Sequence, residues 1–114
     1  MAELVTTGTW MVDPAREEAF IEAWMAFAEW ASSMPGAGTL RLGRDTADAQ
    51  RFVSFGAWES AGVAHTWKRS PEFRERMARV LQHVREFHPS ELDDIATCVG
   101  GSGSLTLPAR SGVE

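Results

Sequence analysis

The chain has no tyrosine and no asparagine, and it has one cysteine and one lysine among 114 residues. A lone cysteine, Cys98, excludes an internal disulfide and a cysteine-based metal cluster. No apolar run approaches the roughly 20 residues that a membrane-spanning helix needs, and the first residues lack the pattern of a secretory signal. These absences predict a cytoplasmic protein with no membrane partner.

Basic residues are also in the minority, since the formal net charge is −5. They are spread along the chain and form no cluster, whereas proteins that bind nucleic acid need a basic face. The sequence therefore predicts no nucleic-acid partner. Hydrophobic residues make up 44% of the chain, which is enough for one domain with its own core.

The pattern of apolar residues predicts an α+β fold. The predicted elements, in chain order, are a strand at 3–12, a helix at 13–33, strands at 37–44 and 50–58, a short helix at 61–69, a helix at 70–88 and a strand at 92–99. The order β-α-β-β-α-β is that of ferredoxin-like folds with one antiparallel sheet. We assign residues 1–99 to this domain. Residues 100–114 are predicted to form a flexible tail, either disordered or with a short extra strand at Leu105–Pro108.

The third predicted strand is apolar or small on both faces. Val53, Phe55 and Ala57 alternate with Phe52 and Trp58. A strand of this kind is covered on both faces. Helices can cover one face, and in a chain this short a second copy of the protein is the natural cover for the other. The sequence thus predicts a homodimer.

A run in the middle of the chain carries a family resemblance. F-V-S-F-G-A-W-E-S-A-G-V-A-H-T-W-K-R-S-P-E-F, residues 52–73, combines a strand ending in Trp58, a short helix started by Ser60, Trp67 and a helix start at Ser70–Phe73. It resembles the antibiotic biosynthesis monooxygenase family. The resemblance implies a dimeric α/β barrel with a pocket in each protomer. It also implies oxidation of a polycyclic phenol by O2 without a cofactor.

The resemblance also implies particular site residues. Monooxygenases of this type use a first-strand asparagine and the short-helix tryptophan to hold substrate and oxygen. Trp67 matches the tryptophan, while the asparagine has no counterpart and Thr7 or Thr9 lies near its place. The haem-degrading branch has a histidine ten residues after the tryptophan, where this chain has Met77.

Several other side chains are candidates for the site, each with a structural alternative. His65 could act as a base or donor, or lie on the surface. Arg41 could steady a phenolate or carboxylate, or meet an acidic partner across the dimer. The aromatic and apolar candidates could line a pocket or fill the core; they are Trp24, Phe27, Phe55, Phe73 and Met77.

The remaining histidines do not predict a metal site. His83 and His88 are five residues apart, and no carboxylate completes a ligand set.

The leading functional hypothesis is a cofactor-independent monooxygenase that oxidises an aromatic, polyketide-like phenol or anthrone with O2. Catalytic candidates are Trp67, His65, Thr7 and Arg41. The alternatives are a non-catalytic dimeric barrel that binds a hydrophobic ligand, and a polyketide cyclase.

Overall fold

The computed structural model describes residues 4–100 and 104–106. The strands are β1 Leu4–Met11, β2 Ala37–Arg44, β3 Arg51–Trp58, β4 Glu86–Asp93, β5 Thr97–Val99 and β6 Ser104–Thr106. The helices are α1 Glu17–Ser32, α2 Ala61–Arg69 and α3 Pro71–Leu81, and a 3-10 turn at Pro14–Arg16 precedes α1. No helix of the described residues is both long and apolar enough to cross a membrane.

Four strands form one antiparallel sheet in the order β2-β3-β1-β4. This order and the three helices are those of a ferredoxin-like α+β fold, which confirms the predicted fold class. Over residues 4–100 the sheet is open, with β2 and β4 at its edges. The four strands of a single chain therefore do not close into a barrel.

The two helices that follow the sheet's third strand begin at the serines that the sequence singled out. Ser60 Oγ accepts a hydrogen bond from the Val63 N–H at 3.2 Å, and Ser70 Oγ accepts one from Phe73 at 3.1 Å. Pro71 occupies the first position of α3, where its missing N–H costs nothing. Ser70 Oγ also donates to the carbonyl of Trp67 at 2.9 Å, which fixes the joint between α2 and α3.

The helices cover one face of the sheet, and the core lies between them. Trp10, Phe52 and Phe87 lie side by side across three strands on this face. The Trp10 and Phe87 rings stack at 4.1 Å, and Phe20 of α1 packs on both Trp10 and Phe52. The buried stripe of α1 consists of Phe20, Trp24, Phe27, Ala28 and Ala31.

The predicted end of the third helix is wrong. The sequence extends that helix to His88 and starts the next strand at Leu92, but α3 ends at Leu81 and β4 begins at Glu86. Phe87 and Pro89 therefore belong to a strand. Pro89 is tolerated there because β4 is an edge strand, which can lack one N–H donor.

The opposite face of the sheet carries no helix. Each strand exposes its alternate residues there, since neighbouring side chains on a strand point to opposite faces. Arg41, Phe55, Thr7 and Ser90 form one row across all four strands. Phe55 is 48% exposed, and Leu92 of the same face is 50% exposed.

A second, two-stranded sheet follows the four-stranded sheet along the chain, and β5 pairs with β6 in it. The predicted strand at 92–99 is thus divided between β4 and β5. Within the predicted tail, a strand is found at Ser104–Thr106. Residues 101–103 and 107–114, for which the sequence predicts a flexible tail, lie outside the described residues.

Candidate functional site

A pocket of about 240 Å³ lies between the sheet and the three helices, and it is partly open to solvent. Ligand sites commonly measure roughly 300–1,000 Å³ and are lined mainly by apolar and aromatic side chains. The pocket is somewhat smaller than the lower limit of that range, and its surface is predominantly apolar. Its lining residues from the helices are Trp24, Phe27, Trp67, Lys68, Phe73 and Met77.

Two glycines keep the floor of this pocket low. A Cβ on Gly8 would lie 2.8 Å from Phe87, and one on Gly56 would lie 2.8 Å from Thr6 Oγ1. Both distances are too short for real contacts, so larger residues would displace their neighbours.

Two hydroxyl groups that line the pocket already accept hydrogen bonds from tryptophans of neighbouring strands. Trp10 Nε1 donates to Ser54 Oγ at 3.0 Å, and Trp58 Nε1 donates to Thr6 Oγ1 at 3.0 Å.

Trp67 lines the same pocket, but its indole N–H has no partner. The residue is 4% exposed, and its Nε1 atom is buried without a hydrogen bond to any described residue. Its ring is held by Trp58 at 4.3 Å and by Phe73 at 4.8 Å. Because a buried unpaired donor costs about 1–3 kcal/mol, an acceptor on a ligand would relieve that cost. Trp67 therefore lines the pocket with an indole N–H that is buried and unpaired among the described residues.

An ionic cluster lies at the rim of the pocket. Lys68 Nζ donates to Glu91 Oε2 at 2.8 Å, and His65 Nε2 lies 3.2 Å from Glu91 Oε1. The Lys68 and His65 hydrogen bonds hold the pKa of Glu91 below its ordinary value, with Lys68 the larger cause. Glu91 reaches α2 because it shares the helix-covered face of the sheet with Thr6, its partner on β1. The cluster joins α2 to β4.

The structure brings together most of the residues that the sequence proposes for the site. Trp67, Trp24, Phe27, Phe73 and Met77 come from three helices and all line the pocket. Trp67 and Phe73 meet edge to face, and Phe27 lies 5.8 Å from each ring.

The other four proposed residues are placed differently. Thr7 and Phe55 are among the lining residues, but they occupy the strand positions whose side chains point to the open face of the sheet. They therefore border the pocket through their main chain. Arg41 lies in the same row on the open face, and His65 lies at the rim beside Glu91.

Sequence reasoning missed other residues of the site. Lys68 lines the pocket, although it was not among the predicted site residues. The sequence could have pointed to Lys68, because it is the chain's one lysine and directly follows the matched tryptophan. Phe87 and Pro89 were missed because the last strand was predicted to start too late.

Among residues 4–100 and 104–106, no group of three or more histidine, cysteine, aspartate or glutamate side chains is arranged to hold a metal ion. His83 Nδ1 instead lies 3.0 Å from Arg16 Nη2, and His88 lies 3.4 Å from Glu86.

Comparison with known proteins places the chain in a family. Residues 4–79 match the model of the antibiotic biosynthesis monooxygenase family. The chain belongs to this family. A monooxygenase-family assignment agrees with the resemblance of residues 52–73 to the same group. The comparison with curated proteins found no match.

Solved structures with the same fold include proteins from bacteria and archaea. One is SnoaB from Streptomyces nogalater, a cofactor-independent oxygenase, solved as a mutant; it is 15% identical, with a TM-score of 0.74 over 82% of this chain and 94% of that one. A conserved protein from Methanosarcina mazei Go1 is 14% identical, with a TM-score of 0.74 over 82% and 93%. At this identity these likenesses show the fold alone.

Proposed function

We propose that this antibiotic biosynthesis monooxygenase family member is a cofactor-independent oxygenase that oxidises a small aromatic phenol or anthrone with O2. The observation that carries the proposal is the buried, unpartnered N–H of Trp67 at the wall of an aromatic pocket. An apolar pocket with one or two placed polar groups is the usual form of a small-molecule site. The membership of the family and the fold shared with SnoaB support the same class of reaction.

The proposed chemistry needs a carbanion or phenolate that can pass an electron to O2. In the oxidation of an anthrone, the methylene carbon loses two hydrogens and gains one oxygen atom. The second oxygen atom leaves with those hydrogens as water, so one O2 is consumed for each carbonyl formed. The protein's part is to exclude water and to stabilise negative charge on the ring oxygen.

The residues of the pocket divide this work. Trp67 donates its indole N–H to the oxygen on which negative charge develops, and a fixed donor in an apolar site is more effective than one in water. Trp24, Phe27 and Phe73 pack against the faces and edges of the substrate rings. Thr7 contributes through the main chain of β1. His65 lies at the rim and acts only by holding the Glu91 carboxylate. Arg41 takes no part inside the pocket, because it lies on the open face of the sheet.

The proposal is tested by oxygen-dependent turnover of anthrone-type substrates. We expect quinone formation and O2 uptake under air that exceed the rate without protein, and no quinone under nitrogen. Trp67→Phe should lower kcat/KM about tenfold or more, because one donor to a developing oxyanion is lost. Trp30→Phe is a matched control, since Trp30 neighbours Trp67 at 6.4 Å but does not line the pocket.

Two outcomes would count against this function. One is no oxygen-dependent product across a panel of anthrones, naphthols and hydroxynaphthoquinols. The other is equal activity of the parent and Trp67→Phe, which would remove the residue on which the proposal rests.

A non-catalytic ligand-binding role is a second candidate, and one feature favours it. The lining hydroxyls of Thr6 and Ser54 are occupied by other tryptophans, and Lys68 is paired with Glu91. The described pocket thus offers no free general base to start the oxidation, so substrate would have to ionise in water. Tight binding without turnover under air would support this role. A polyketide cyclase would instead give ring-closed product under nitrogen.

We further propose that the protein is a homodimer joined through the open face of the sheet. Apolar side chains on that face are solvent-exposed in a single chain, including Phe55 and Leu92. Exposed apolar patches on a small domain are typical of interfaces. The partner would complete the barrel that the open sheet leaves unfinished.

A further inference from the structure

We propose that Lys68 makes the pocket selective for ligands that carry an acidic group, and that this group replaces Glu91 as the partner of the Lys68 ammonium. The inference rests on the proposed function in using the same pocket, but it names the ligand's charge rather than its reaction. A neutral aromatic ligand would use the apolar walls alone. An anionic one would gain an ion pair at the rim.

The position of Lys68 is the first support for this inference. Among the described residues that line the pocket, it is the only charged one. Its side chain is 29% exposed, so a large part of its stem is packed against protein. A lysine on an apolar wall brings its ammonium to the edge of the pocket along a flexible chain of four carbons. A ligand seated against Trp67 is one residue away along α2.

The arrangement around Glu91 is the second support. Its two carboxylate oxygens have separate partners, Lys68 on Oε2 and His65 on Oε1. When Lys68 turns toward a ligand anion, Glu91 keeps His65 and remains about one-third exposed to water. The exchange therefore does not leave a buried charge without a partner, which would be its main cost. Glu91, at the rim, is thus the anion that the ligand's acidic group replaces beside Lys68.

If the ligand replaces Glu91, then substitutions of Lys68 and Glu91 should change the affinity for an anionic ligand in opposite directions. Removing Lys68 should weaken an anionic ligand, whereas removing the charge of Glu91 should strengthen it, because the ligand then meets an unpaired ammonium. Neither change should affect a neutral ligand of the same shape. Simple damage to the fold would weaken both ligands in both variants, so the two explanations are separable.

The experiment uses naphthalene-2-carboxylate and naphthalene-2-carboxamide, which have the same shape and differ in charge. Calorimetric titration of the full chain gives Kd for each. For Lys68→Met we expect the carboxylate Kd to rise about fivefold to tenfold and the carboxamide Kd to change less than twofold. For Glu91→Gln we expect the carboxylate Kd to fall severalfold. Glu75→Gln, on the exposed side of α3, controls for net charge.

Four results would overturn the inference. Equal losses for both ligands in Lys68→Met would show a packing role. A weaker or unchanged carboxylate Kd in Glu91→Gln would show that Lys68 does not exchange partners. If neither ligand binds at concentrations up to its solubility limit, the pocket does not bind aromatic ligands, and the proposed function is also rejected. Binding of the carboxamide without any preference for charge would leave the pocket standing and reject Lys68 alone.

Discussion

At the scale of single residues, the buried tryptophans divide according to whether the indole N–H is paired. Trp10 and Trp58 donate to hydroxyls of neighbouring strands, while Trp67 has no partner in the described structure. The sequence could single out Trp67, because residues 52–73 carry the family's pattern. It could not show which indoles are paired, since those hydrogen bonds depend on the cross-strand register of β1 and β3.

Replacing each of these tryptophans by phenylalanine should separate the two classes. All three variants lose ring volume from the core, which is destabilising. Trp10→Phe and Trp58→Phe also break a buried hydrogen bond, so each should cost about 1 kcal/mol more than Trp67→Phe. Urea unfolding at one protein concentration measures the difference. An equal cost for Trp67→Phe would mean that its N–H is satisfied in solution.

A similar contrast distinguishes two glycines of the sheet. A Cβ on Gly8 would meet Phe87, Ser54 and Trp10 within 3.0 Å, whereas a Cβ on Gly43 would meet nothing within 4 Å. Gly8→Ala should therefore lower the free energy of unfolding by about 1–3 kcal/mol through overpacking. Gly43→Ala should change it by less than about 0.5 kcal/mol. Thermal unfolding of both variants checks this, and equal melting temperatures would show that the floor of the pocket can yield.

At the scale of elements, most boundaries were predictable from local chemistry. Ser60, Ser70 and Pro71 mark the starts of α2 and α3, and their capping roles depend only on nearby residues. The end of α3 was not predictable in this way, because apolar residues continue at helical spacing to Phe87. Tertiary contacts end it instead: Arg16 Nη2 donates to the carbonyl of Gln82 at 3.0 Å, and the Arg85 N–H donates to Met11 of β1 at 2.8 Å.

The link between α2 and β4 predicts a dependence of stability on pH. Because Lys68 and His65 hold the pKa of Glu91 below its ordinary 4.5, the charged carboxylate stabilises the fold. This contribution is complete above the unfolded-state pKa and is lost as pH falls through the lower folded value. The free energy of unfolding should therefore exceed that of Glu91→Gln by a few tenths to about 1 kcal/mol near neutral pH, and the gap should close in acid.

Urea unfolding of both proteins across this range is the measurement. Glu75→Gln is the control, since Glu75 pairs with Arg79 on an exposed helix face at 3.3 Å. A gap between the parent and Glu91→Gln that stays constant into acid would mean that the ion pairs at the rim do not stabilise the link.

At the scale of the whole molecule, the sheet has one covered face and one open face. From a third strand that is apolar on both faces, the sequence predicted cover by helices on one face and by a second copy on the other. The register places Phe55 on the open face, in a row with Arg41, Thr7 and Ser90. The two faces have different roles in our proposals: the covered face holds the ligand, and the open face meets a second copy. Arg41, a candidate for the pocket from sequence, therefore belongs to the proposed interface.

Phe55→Glu tests the proposed interface. A two-fold interface contains each substituted position twice, so a charge at its centre acts twice and meets its own like charge or an apolar neighbour. We expect the parent to be a dimer by light scattering, and Phe55→Glu to raise the dissociation constant by roughly 30-fold or more.

Met25→Glu is the matched control, because Met25 is 51% exposed on the helical side, close to the 48% of Phe55. Circular dichroism should show the same secondary structure for all three proteins. A monomeric parent would reject the homodimer, and dissociation by Met25→Glu but not by Phe55→Glu would move the interface to the helices.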